Sequence, residues 1–225
     1  MRYTVEQELY DLGLKVYFPK VVGFDNTWVC DEWVQERMVR HKAILDELET
    51  LDLKAHPILD GFNTLHDAAG VRRKHNVAAS TTLLRLLSKR GSLPIINQVV
   101  DIYNTISMET KLALGAHDLD HVAGDVSVRR LDGTEGFVPL GATEPEPVRA
   151  GDYAYVDAAN DVLCRLEVRQ VEKTATRGET KHAFFICQGN ANTSDDYLVE
   201  AAERIVDDVT RFCGGYGYVI APEIV

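Results

Sequence analysis

Hydrophobic and polar positions along the chain change their spacing near its middle. Apolar residues recur at helical intervals over residues 31–53, 80–90 and 97–108, then alternate or run in short blocks after 120, which is the spacing of strands. Over residues 97–108, Val99, Tyr103 and Ile106 fall at i, i+4 and i+7, and Val100 and Ile102 widen the apolar side. Asn97, Asp101 and Asn104 take the same spacing, so one helical stripe carries short amide and carboxylate groups. Such side chains compete for nearby backbone and disfavour helix interiors, so three in register point to a task. Residues 115–120 are expected to turn the chain and add the carboxylates of Asp118 and Asp120.

The remaining pattern supplies the frame. Residues 1–30 read as a short helix followed by a strand that Pro19 interrupts, and residues 31–53 as a long amphipathic helix. Residues 57–70 read as irregular, with a turn at Asp60-Gly61. A second helix spans 80–90, with Ser80 as N-cap, Leu83, Leu84, Leu86 and Leu87 as its buried side and Gly91 as its stop. Strands follow at 121–130, 137–140, 153–156, 162–170 and 182–187, then a helix at 194–213 ended by Gly214-Gly215. Helices first and short strands after predict an α+β fold, a mainly antiparallel sheet or sandwich flanked by helices. Residues 1–69 are expected to pack as a strand and helix segment on an α+β domain of residues 70–225, making one compact unit.

Composition narrows this picture. Hydrophobic residues make up 45% of the 225 positions, enough for a real core. No apolar run approaches the ~20 residues that span a bilayer, and no apolar leader follows Met1, so a cytoplasmic protein is expected. Cys30, Cys164, Cys187 and Cys213 are scattered without a CxxC pair, which predicts buried free thiols and neither metal nor cofactor. A formal net charge of −11 argues against broad coating of nucleic acid. The stretch from Ala68 to Val100 nevertheless holds no acid, while Arg72, Arg73, Lys74, Arg85, Lys89 and Arg90 lie within it.

No nucleophile elbow, phosphate loop, dinucleotide fingerprint or zinc-protease motif occurs. A second polar concentration runs from Cys164 to Gln170. Read as one strand, Arg165, Glu167 and Arg169 share a face, either a solvated ladder or a wall on which arginine receives a carboxylate or phosphate. His117, beside two carboxylates, is either a base oriented by one of them or a surface-turn histidine.

The run SLPIINQVVDIYN from Ser92 to Asn104, followed by Asp118-Leu119-Asp120 and Gly124-Asp125, resembles the editing domain of the phenylalanyl-tRNA synthetase beta subunit. It is more similar still to freestanding relatives of that domain. The likeness extends over roughly residues 70–215 and includes Cys164-Arg165 to Gln170 and Thr180-Lys181. It implies hydrolysis of the ester that joins a wrong amino acid to the tRNA 3′ end, in trans. It also implies tRNA as partner, with neither DNA nor membrane. On this resemblance Asn97, Asp101, Asn104 and His117 are the catalytic candidates. Asp118, Cys164, Arg165, Glu167, Arg169, Gln170 and Thr174 would bind substrate, while Arg72, Arg73, Lys74, Lys89 and Arg90 would meet tRNA phosphates. There are departures: Gly115 stands where the synthetase domain has a histidine, and His117 takes the aromatic place. The glutamate by which the family reads a tyrosine hydroxyl falls near Thr174 or Ala175. A binding module of the same fold without turnover, and an enzyme for a small ester or amide, stay open as readings.

Overall fold

The computed structural model describes residues 1–73 and 76–225. The chain runs β1 (Tyr3–Val5), α1 (Gln7–Asp11), β2 (Lys15–Val22), α2 (Asp31–Leu48), α3 (Pro57–Ala68), α4 (Ala79–Arg90), α5 (Gln98–Thr110) and β3 (Ala113–Asp118). It continues β4 (Val126–Arg130), β5 (Tyr153–Asp157), β6 (Val162–Arg165), β7 (Arg169–Gln170), β8 (His182–Gly189), α6 (Asp195–Cys213), β9 (Tyr216–Ile220) and β10 (Glu223–Ile224). Among the described residues the strands form two sheets, ordered β10-β1-β4-β5-β6-β7 and β3-β8-β2-β9. Pairing is mainly antiparallel; β1 alone runs parallel to its neighbours β4 and β10.

The sheets face each other across a core in which Tyr3, Val128 and Tyr155 of the first meet Phe18, Phe184 and Ile186 of the second. The outer side of the second sheet carries Leu114, Ala116, Phe185 and Cys187, and Val99, Ile106, Ile205 and Phe212 of α5 and α6 cover it. The result is sheet on sheet on helices, the α+β architecture expected from the order of the elements. All four cysteines are buried free thiols.

Local chemistry sets the helix ends. Asn97 caps α5 by accepting the Val100 N–H at 3.0 Å. Gly91 closes α4 in the left-handed region at φ 71°. Ser194 caps α6 and Gly214 stops it.

Several expectations need correction. A three-residue strand, β1, precedes the expected short helix, and β2 runs through Pro19 at the loss of one ladder donor. Residues 57–68 are helical: Pro57 sits in the first turn, where its fixed φ helps, and Gly61 marks a close approach, since a Cβ there would collide with Asn190. Ser80 lies inside α4, whose N-cap is Ala78. Residues 113–118 form a fully buried strand, and the turn comes later, at the 3-10 turn Leu119–His121. The segment 162–170 is no single strand. Leu166, at φ 54°, folds it into a hairpin that sets Cys164 opposite Gln170 and Arg165 opposite Arg169. Residues 137–140 contribute only an isolated bridge, Pro139 to Val171. Beyond the stop at Gly214 the chain continues into β9 and β10, which pair with β2 and β1.

Candidate functional site

A cavity of about 590 Å³ opens at the outer edge of β3, where the β6–β7 hairpin of one sheet approaches the other sheet. Leu114 and Gly115 of β3, Ile186 of β8, and Cys164 and Gln170 of the hairpin form its inner wall. Thr82 and Leu83 of α4, with Tyr103 and Asn104 of α5, close the helical side, and Pro139 and the exposed Leu140 also line the cavity. The walls are mostly apolar, so the few polar groups determine what a ligand meets.

Four of these groups are neutral or cationic. Asn104 is half-buried. The Gln170 amide lies over Gly115, donates to the Ala116 C=O at 3.4 Å and meets the Tyr103 hydroxyl. The Cys164 thiol donates to the Leu166 C=O at 3.3 Å, and burial pushes it up to about 12, so it stays a thiol at neutral pH. Arg169 sits at the rim, paired with Glu146 at 2.7 Å and with its guanidinium 5.8 Å from the Phe137 ring.

Glu167 adds a buried polar network beneath the cavity. The hairpin bend turns it away from the two arginines and inward. His66 Nε2 lies 2.6 Å from its Oε1, the Tyr153 hydroxyl donates to its Oε2 at 2.5 Å, and the Gln188 amide nitrogen follows at 3.3 Å. The Tyr155 hydroxyl then donates to the Gln188 carbonyl oxygen at 2.6 Å. Sequence reasoning missed His66, Tyr153, Tyr155 and Gln188, because no local motif ties any of them to Glu167, which lies elsewhere in the chain. The one available signal was the Tyr153-Ala154-Tyr155 alternation, which puts both hydroxyls on one strand face.

The remaining candidates lie elsewhere. Asn97 is spent on its cap and on the Thr176 C=O, 3.0 Å away. Asp101 is 4% exposed and pairs with Arg37 Nε at 2.8 Å, while Arg37 also donates to the Leu93 C=O. Burial raises the Asp101 carboxyl to about 6, against the lowering pull of Arg37. The polar stripe therefore does not converge: of its three members only Asn104 lines the cavity. His117 is 1% exposed, stacks on Phe184 and bonds Thr174 Oγ1 through Nδ1 at 2.7 Å; burial holds its imidazole down near 3. It is a buried strand residue, neither a surface-turn histidine nor a cavity wall. Asp118 caps the 3-10 turn and accepts from Thr180, and Arg165 is held by Asp152 at 2.9 Å.

Of the basic residues, Arg72 and Arg73 are exposed just ahead of Val77 and Ala79, which line the cavity, and Arg73 pairs with Asp67. Lys89 and Arg90 are exposed at the far end of α4, roughly 15 Å along its axis. Lys74 lies outside the described residues. Among the described residues no cluster of three or more His, Cys, Asp or Glu is arranged to hold a metal ion, and no helix is long and apolar enough to cross a membrane.

The family model for the B3/4 domain matches residues 68–214. No curated protein matches the chain. Among solved structures it is similar to an N-terminal fragment of the phenylalanyl-tRNA synthetase beta subunit from Pyrococcus horikoshii, with 12% identity and a TM-score of 0.50. That likeness covers 100% of this chain and 51% of the fragment, so the chain spans about half of the structure it matches. At this identity the likeness speaks for the fold.

Proposed function

The chain belongs to the B3/4 domain family, and on that premise we propose that its cavity takes the aminoacyl group at the 3′ end of a mischarged tRNA and that the protein hydrolyses the ester in trans. The observation that carries the reading is the convergence of Asn104, Gln170 and Arg169 on a mostly apolar cavity of about 590 Å³. That volume suits a small ligand such as an amino acid with its ribose. Among the described lining residues the only thiol is kept protonated, which favours a substrate needing no strong nucleophile.

An aminoacyl ester is such a substrate. The oxygen of water adds to the carbonyl carbon, the bond to the ribose oxygen breaks, and that oxygen takes up a proton. The products are the free amino acid and a tRNA with its 3′ hydroxyl restored. Positioning the water and polarising the carbonyl are the protein's tasks, and side-chain amides such as those of Asn104 and Gln170 suit both. Exposed Arg72, Lys89 and Arg90 would hold phosphates. Purified protein incubated with a panel of mischarged tRNAs tests this. Ester loss above buffer for at least one tRNA is expected, and none for any would overturn it.

A second reading, a tRNA- or amino-acid-binding module without turnover, draws on Glu167. It is the one carboxylate among the described lining residues, with His66 lying against one of its oxygens and Tyr153 donating to the other. Salt-dependent tRNA binding without ester loss would select that reading.

A further inference from the structure

β3 is paired along one side only for part of its length. Its inner side pairs with β8 from Ala113 to Asp118. On its outer side the Asp118 N–H donates to the Thr174 C=O at 2.9 Å, and Gln170 Nε2 donates to the Ala116 C=O at 3.4 Å. Peptide groups of alternate residues on a strand face the same way. The N–H and C=O of Leu114 therefore face outward too, toward the cavity that Leu114 and Gly115 line. Leu114 is 6% exposed, and among the described residues no hydrogen bond from beyond the β3–β8 ladder reaches either group. Backbone groups this buried are nearly always paired, so the two that face the cavity call for a ligand or water. Gly115 carries no side chain to crowd the wall beside them.

We infer that Leu114 is a backbone clamp for an α-aminoacyl group, its N–H donating to the acyl carbonyl and its C=O accepting from the α-ammonium. An aminoacyl group has the nitrogen, α-carbon and carbonyl of one residue. It therefore makes with Leu114 both bonds of a hydrogen-bonded antiparallel pair. This selects α-amino acyl derivatives over acyl groups that lack the amine, whatever the side chain held by Leu83, Val168 and Ile186.

The clamp rests on the aminoacyl reading of the cavity, yet it is testable without tRNA or an ester. The probes are L-leucinamide and L-phenylalaninamide, each beside its des-amino counterpart, isocaproamide and hydrocinnamamide. Binding is followed on the wild-type protein by nitrogen-edited NMR. At least one amino acid amide is expected to move the Leu114 N–H resonance, with much smaller shifts at Ala113 and Gly115, whose N–H groups face β8. The des-amino amides should bind roughly tenfold more weakly. Replacing Leu114 by its α-hydroxy acid, which removes the N–H and keeps the side chain, should cost a comparable factor. An unmoved Leu114 resonance, or des-amino amides that bind equally well, would overturn the clamp. A silent tRNA panel with a shifted Leu114 resonance would remove the deacylase and keep the clamp. Ester loss with an unmoved Leu114 would do the reverse.

Discussion

A Cβ built on Gly115 would stand 2.6 Å from Nε2 of Gln170. The bare glycine is what lets the Gln170 amide lie on the wall of the cavity. The obstacle is the end of a flexible side chain, so Gly115→Ala should fold with stability changed by only about 1 kcal/mol. Gln170 would be displaced, and ester hydrolysis should fall by roughly tenfold. Denaturant titration and deacylation rates on the same preparation check both halves.

Asp101 and Asn104 separate a structural role from a ligand-facing one on the same helix. Asp101→Ala leaves the buried Arg37 guanidinium unpaired and should cost about 3–5 kcal/mol. Activity at a temperature where the variant stays folded should be retained. Asn104→Ala, from a half-buried cavity wall, should change stability by about 0.5 kcal/mol and lower activity. Melting curves beside rates distinguish the two.

That contrast also marks how far the sequence could be read. Apolar periodicity located α5, α4 and α6, and the stop at Gly91 was read from local chemistry, whereas Asn97, read as a member of the polar stripe, proved to be the cap of α5. Spacing also put Asn97, Asp101 and Asn104 on one helix side. It could not tell that α2 would bring Arg37 to Asp101, because that partner lies far away in the chain. The break at Leu166 was hidden for another reason. A left-handed leucine has no local signature, and without it Glu167 seems to sit beside Arg165 and Arg169. His66, which meets Glu167 across about a hundred residues, was legible only in three dimensions. The N-terminal and C-terminal strands were under-read because β1 and β10 are too short for alternation to register.

The His66–Glu167 pair, each side chain 1% exposed, should be costly to break from one side. His66→Ala would leave Glu167 with Tyr153 and Gln188 alone beneath the cavity, a loss of about 1–3 kcal/mol. Glu167→Gln keeps the shape and an acceptor for the Tyr153 hydroxyl and should cost less. Urea unfolding of the two variants gives the order.

Acid should destabilise the fold. Burial holds His117 near 3 and His41 near 4, both below the ordinary histidine value of 6.5, so each takes up a proton on unfolding between there and pH 6.5. Asp101, raised to about 6, releases one on unfolding over much of the same range. Between about pH 4 and 6 these three groups together make the unfolded chain bind about one proton more, so their share of stability falls by roughly 1.4 kcal/mol per pH unit on acidification, and His56, whose imidazole burial also holds down, acts in the same direction. His117→Asn should flatten that slope, as unfolding free energies measured across the range would show.

An aminoacyl group is expected to occupy the cavity beside β3. The most direct measurement is a crystal structure with an adenosine whose 3′ oxygen is replaced by an amide-linked amino acid, which cannot be hydrolysed. The expected density has the amino acid between Asn104 and Gln170, its carbonyl and amine against Leu114, and the adenosine leaving past Leu140. Density elsewhere with this cavity empty, at a concentration that saturates binding, would contradict the claim.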